Sequence, residues 1–575
     1  MPHIVLPFNQ LKNKSATKED PNSIISMLSK EGQDVIKKNP HILHYLHMFP
    51  RKEYGIPDFR DKLDRKMSTN KSPNVIYPVK SGIFAHILHD LNDGRNTYIP
   101  IEPVITQNLD KLMKEVEKRL LDIADYVTLN IFNSNDEKKA IILQCLERIC
   151  TTSNNPNSPG KFSKKNSFSV KIKPLLVTPN QLRAIKYLIL RDKMGLGIID
   201  PVVSDKYVED ISCSGTGSIF LEHKIFKSLK TVISFPNYED LDIFVMRLAE
   251  RIKKPVSVNS PIVDATLPDG SRINIVYGCD VSKRGSNFTI RKFSETPLSV
   301  IDLIEMGTLN YKMAAYISLM IGEGMNVFVC GETASGKTTS LNAVTTFIHP
   351  NAKIVSIEDT PELQVPHKNW IREVVRSTKE SENSNVTMFD LLKAALRQRP
   401  NEIIIGEIRG AEGAIAFQAM QTGHSVMATF HAASVERLIQ RLTGDPINVP
   451  KSYMDNLNLV IIQSAVKLPS GQVGRRIISI SEIVGYDAVN QSFLFVEIFQ
   501  WDSTTDTFIF TGENNSYLLE HKIAAKLGIP LSNKRRIYAQ VERRAKILEK
   551  LHKQGVKDFY DLLKVLAKAQ KDGLF

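Results

Sequence analysis

The residues most plainly arranged for chemistry lie at Gly331–Thr338, which read GETASGKT. They follow the apolar run NVFVC and open KTTSLNAVTTFI, which stops before Pro350. A strand, this loop and a helix are the context in which GxxxxGK[ST] holds phosphate. Gly331 and Gly336 admit backbone angles and approaches that a side chain would block. Glu332, Thr333, Ala334 and Ser335 bring backbone N–H groups to the phosphates, and the helix N-terminus through Thr339 adds its dipole. Lys337 supplies positive charge to the β- and γ-phosphates, and the Thr338 hydroxyl is placed to ligate magnesium. The expected ligands are therefore ATP and Mg2+.

Acidic and imidazole side chains follow on apolar runs. NEIIIGEIRG is a strand ending at Glu407, which can hold magnesium through water, although ATPases more often place an Asp there. A surface ion pair with Arg409 is the alternative. KIVSIEDTPEL ends in Glu358, Asp359 and Glu362. A carboxylate at a strand tip can orient the attacking water or take its proton, and Glu358 is the first choice. TGHSVMATFHA carries His424 and His431, either of which could bond the γ-phosphate. Neither has metal-ligand spacing with the acids.

The elements that must position these groups read as α/β. Residues 297–575 alternate strand and helix and end in a basic helical stretch from Arg535 to Ala569. Strands are expected at Val327–Cys330, Lys353–Ile357, Ile403–Ile405, Ser425–Thr429 and Asn458–Ala465. Residues 174–296 read as a smaller α/β domain, with helices at Gln181–Arg191 and Leu241–Arg251. Residues 76–173 read as a helical domain, from Leu112, Val116, Leu120 and Ile123, ending in the polar basic linker 151–169. Residues 1–75, rich in Lys, Asn, Ser and Pro, read as a weakly structured tail.

The chain has 575 residues and a net charge of +13, which suits anionic partners or a solvated basic surface. No run reaches the ~18 apolar residues of a membrane span, and the start lacks the apolar core of a signal peptide. A cytoplasmic protein is expected, touching the membrane through partners or its surface. The cysteines Cys145, Cys150, Cys213, Cys279 and Cys330 never fall as CxxC, so neither disulfide nor zinc is expected.

Taken together, GETASGKT, IEDTPEL, LRQRPNEIIIGEIRG and TGHSVMATFHA resemble the Walker A, Asp box, Glu-bearing Walker B and His box of the secretion ATPase superfamily. That family powers type II secretion and type IV pilus assembly. Four such motifs in order within about a hundred residues are specific. The resemblance runs from about residue 180 to the end. PHKNW at 366–370 and IFQWDSTTDTFIFTG are similar to the archaeal branch, which includes archaellum ATPases, and the zinc-binding CxxC insertion of bacterial members is missing. The resemblance implies a RecA-like ATPase domain joined to an N-terminal domain, with nucleotide between them. It also implies a homohexameric ring and a polytopic membrane platform protein moved by hydrolysis. Arg272 in DGSRINI and Arg291 in FTIRKF match the strands that carry nucleotide-reaching arginines in the family, with Arg284 and Lys292 as neighbours.

Two other functions fit the same loop. A conjugation-type DNA-transfer ATPase would use the basic linker and C-terminal helix, but aromatic residues are not interleaved with those basic runs, and nucleic acid is not the expected partner. A nucleotide-binding scaffold without turnover would not need Lys337, Thr338, Glu358 and Glu407 together.

Overall fold

The computed structural model describes residues 3–4, 6, 25, 28–90, 94–104, 109–127, 135–152, 174–293, 296–376 and 385–575. The chain forms two compact units, Met1–Phe293 and Ser294–Phe575.

In the first unit the strands are β1 (His3–Ile4), β2 (Asp58–Phe59), β3 (Asn74–Lys80), β4 (Ile83–His89), β5 (Asn96–Ile101), β6 (Cys150–Thr151) and β7 (Leu175–Leu176). They continue with β8 (Val208–Cys213), β9 (Gly217–His223), β10 (Lys227–Phe235), β11 (Ile262–Thr266), β12 (Arg272–Val276) and β13 (Asn287–Arg291). One sheet runs β11-β12-β13-β8-β9-β10-β5-β4-β3-β2, with β1 also on β10 and β6-β7 a separate pair. Two expectations are corrected here. Residues 28–75 carry the helices Lys30–Lys38 and Pro40–Met48, whose Ile36, Ile42 and Leu46 are buried with Ile76 and Ile99 in one core. The apolar patch Ile42–Met48 is thus a packed helix face, and tertiary burial overrides the polar composition around it. Beyond residue 75, β3, β4 and β5 form an antiparallel meander, and the first helix among the described residues there is Leu109–Val127. Runs such as IFAHILH are buried almost throughout and lack a readable period.

No break in the sheet separates these strands from the domain placed at 174–296. β5 pairs in parallel with β10, Thr97 and Tyr98 opposite Lys230 and Thr231. The buried Asp205 carboxylate accepts hydrogen bonds from Tyr77 at 2.6 Å and Tyr98 at 2.9 Å, pinning the meander to the loop before β8. Most of the basic linker lies outside the described residues.

In the second unit the strands are β14 (Val327–Gly331), β15 (Ile354–Glu358), β16 (Trp370–Val374), β17 (Glu402–Ile408) and β18 (Ser425–Phe430). Then come β19 (Leu459–Lys467), β20 (Val473–Asp487), β21 (Ser492–Asp502) and β22 (Thr507–Phe510). Their order is β16-β15-β17-β18-β14-β19-β20-β21-β22. The sheet is parallel from β16 to β19 and antiparallel beyond. Helices cover both faces of the parallel part, so its strands are apolar in continuous runs. Val327 and Val329 belong to one core, Phe328 and Cys330 to the other. This is a RecA-like P-loop sheet. The C-terminal helical stretch is two helices, Ile537–Lys553 and Phe559–Lys571, interrupted at Gly555 and restarted by the Asp558 cap.

Candidate active site

Because β14, β15, β17 and β18 run in one direction, their C-terminal ends share one edge of the sheet, where α/β folds place their sites. The phosphate loop follows β14, Glu358 closes β15, Glu407 lies near the end of β17, and His431 follows β18. His424 precedes β18, about 20 Å away at the usual rise per strand residue. Its Nδ1 meets the Thr422 hydroxyl at 3.1 Å, so of the two histidines only His431 belongs to the site.

The loop is shaped by close approach. A Cβ on Gly331 would stand 2.1 Å from the Gln463 carbonyl oxygen. Gly336 has φ +97° and caps the helix Lys337–Val344. Lys337 is buried, and its ammonium donates to the Glu332 carbonyl at 2.8 Å. Burial lowers its pKa, while the Glu407 charge acts in the opposite direction. Ser335 Oγ is buried without a hydrogen-bond partner. Thr338 and Thr339 are half-buried in the first helical turn, and Glu332, Thr333 and Ala334 are exposed.

His431 Nε2 lies 2.6 Å from Glu407 Oε1, and Lys337 Nζ stands 3.5 Å from His431 Nδ1. Burial and then the Lys337 charge lower the imidazole pKa, with Glu407 pulling it upward. A neutral ring with its proton on Nε2 satisfies both neighbours. The other Glu407 oxygen accepts from Arg409 Nε at 2.7 Å, and Arg409 reaches Asp359 at 3.6 Å. The ion pair with Arg409 weighed against a metal role is therefore present, but it occupies one oxygen and leaves the other on His431.

Glu358 is buried, and its Oε1 accepts from the backbone N–H groups of Glu362 and Leu363, both at 2.8 Å. Its Oε2 has a longer contact, 3.4 Å from Arg372 Nε. Burial raises this carboxyl above the ordinary range, opposed by those N–H bonds and the Arg372 charge. Arg372 stacks over Trp370, whose indole N–H donates to Ser356 Oγ at 2.8 Å. The PHKNW segment thus ends in a side chain that orients the arginine beside Glu358. Sequence spacing did not point to Arg372, Arg475 or Gln463, which approach the site from β16, β20 and β19.

Arg272 and Arg291 lie in the first unit and face each other directly across β12 and β13. Both are exposed. Like charges so placed repel. Arg272 pairs with Asp264 at 2.7 Å, and Arg291 lies opposite Asp210, whose carboxyl its charge helps to lower against burial. Lys292 is engaged with the Asp205 carbonyl, and the Arg284 carbonyl accepts from Thr216 N–H.

An open cleft of about 230 Å³ is lined by Gly331, Glu332 and Thr333 on one wall and His431, Ala432 and Ala433 on the other. The available magnesium donors are hard oxygens, the Thr338 hydroxyl and the Glu407 carboxylate. That set fits an ion that takes few protein ligands and keeps its waters. Among the described residues, no three His, Cys, Asp or Glu side chains gather as a metal cage, and no helix is long and apolar enough to cross a membrane.

The uncharacterized protein MJ0900 of Methanocaldococcus jannaschii is 44% identical over 553 residues, 96% of this chain and 98% of its own length. The type IV secretion system protein PtlH of Bordetella pertussis is 34% identical over 205 residues, 32% of this chain and 60% of PtlH. The probable conjugal transfer protein TrbB of Sinorhizobium fredii is 30% identical over 250 residues, 42% of this chain and 73% of TrbB. The family model for type II/IV secretion system proteins matches residues 192–489, just over half of the chain and the whole stretch from β8 to His431, and the chain belongs to that family.

Proposed function

We propose that this chain is an ATP-hydrolysing motor of a type II secretion, type IV pilus-like or archaellum machine. It works as a homohexamer at the inner face of the cell membrane, on a polytopic platform protein and with acidic lipid nearby. The observation that carries this reading is the contact between His431 and Glu407 beside Lys337, opposite the phosphate loop. In this reading backbone N–H groups of Glu332–Thr338 and the Lys337 ammonium hold the phosphates. Thr338 and, through water, Glu407 would hold magnesium, which would offset the charge of the phosphates. Glu358 Oε2, with Oε1 anchored on the turn, accepts the proton of the attacking water. Neutral His431 bonds the γ-phosphate, and Arg272 and Arg291 stabilise the charge of the transition state.

The test is magnesium-dependent ATP turnover by the purified full chain, with its assembly mass measured by light scattering. Turnover by a six-subunit particle is expected. Tight nucleotide binding without turnover would instead support a scaffold. The likeness to TrbB favours a second reading, a DNA-transfer ATPase. DNA affinity that falls steeply with salt would support it.

A further inference from the structure

We propose that Arg475 is a positioning residue for the phosphate loop, holding it in its binding shape from the β19–β20 pair. Ala334 is the non-glycine residue of the loop in the left-handed region, with φ +62°. Such a conformation persists only where the surroundings enforce it. Its carbonyl accepts a hydrogen bond at 3.1 Å from Nε of Arg475, far along the chain on β20. The same side chain packs on Gly336, where a Cβ would stand 3.2 Å from Arg475 Cδ and 2.9 Å from Gln463 Nε2. Gln463 also closes on Gly331 through its carbonyl. The loop is therefore gripped at both glycines and at its strained residue.

The grip is built into the sheet. The β19–β20 register shifts between Ile462 and Gln463, an irregularity of the kind that re-aims a side chain beside a site. The next residue along β20 anchors it. Arg476 pairs bidentately with Asp506, at 2.7 and 2.8 Å, and donates to the Met306 carbonyl at 3.0 Å. Arg475 therefore leaves a fixed stretch of backbone, while its own guanidinium is exposed. Gln463 Oε1 and Ser335 Oγ are buried without partners beside the loop. Buried polar groups normally find partners, and these two suit a loop that changes its bonds when phosphate arrives.

This inference rests on the reading that nucleotide binds at the loop. Its test compares the full chain with Arg475→Met and Arg475→Lys. ADP and ATP affinity by calorimetry, KM, kcat and the nucleotide-free Tm are measured. Arg475→Met is expected to weaken affinity and raise KM about tenfold, the effect of a lost hydrogen bond from a charged donor. Its kcat should stay within about threefold and its nucleotide-free Tm should not move. Arg475→Lys, which keeps a charged donor, should recover most of the loss. Affinity of Arg475→Met within about twofold of the parent overturns the brace alone. So does a loss confined to kcat, or a fall in Tm that accounts for the weakened binding. A parent chain that binds neither nucleotide overturns both the brace and the site reading.

Discussion

His431 Nε2 and Glu407 Oε1 meet at 2.6 Å across the ends of two neighbouring parallel strands, β18 and β17. The contact aligns a neutral imidazole, fixes its tautomer, and holds Glu407 against the pull of Arg409. Removing the ring leaves Glu407 to the Arg409 and Asp359 ion-pair chain. His431→Ala should lower kcat by about 10²-fold, with a smaller change in KM. Steady-state kinetics checks this, and an unchanged kcat removes His431 from the chemistry.

The charge of Glu358 should be visible in the pH profile. Burial raises its pKa and Arg372 lowers it. A base works deprotonated, so turnover should fall as pH drops through that raised pKa. Arg372→Met removes the lowering charge, and the acid limb of kcat should then move to higher pH. A limb at the same pH in both proteins would show that Arg372 does not set the charge of Glu358, or that another group makes the limb.

Glu402 begins β17 at the opposite end from the site. It is fully buried, and burial pushes its carboxyl up to about 8, with Oε1 lacking a partner. The folded chain keeps this proton where the unfolded chain has lost it. The resulting stability is present in full below about 4.5, the ordinary carboxylate value, and is lost as pH rises towards about 8. The change is on the order of a few kcal/mol. Glu402→Gln should flatten the fall in Tm over that window, measured by thermal unfolding as a function of pH. An equally steep fall in the variant contradicts the assignment.

Gly331 and Gly336 are where the loop tolerates no side chain. A Cβ on Gly331 collides with backbone, the Gln463 carbonyl at 2.1 Å, whereas one on Gly336 meets the movable ends of Gln463 and Arg475. Gly331→Ala should therefore abolish measurable nucleotide binding, and Gly336→Ala should weaken it less despite the strain of its φ +97°. Calorimetric titration with ADP checks the order, and the reverse order refutes the geometry.

Much of the second unit was legible in the sequence because its motifs are local. GETASGKT lies in a strand–loop–helix segment, and the runs ending at Glu358 and Glu407 are β15 and β17. The long strands β20 and β21 were not foreseen, because they lie in the antiparallel part, where burial alternates irregularly. Arg372, Gln463 and Arg475 were missed for a different reason. Each acts across strand pairing or a register shift, and nothing in their local spacing announces it. The N-terminal meander was hidden by full burial on β4, and the helix Pro40–Met48 by its polar flanks.

The most direct test of the central claim is ATP turnover by Glu407→Gln in the full chain. The substitution keeps the shape of the side chain but removes the charge that faces His431 and Arg409. Turnover should fall by at least about 10²-fold while ADP affinity stays within a few-fold of the parent. Turnover equal to the parent would contradict a hydrolytic site built on Glu407 and His431.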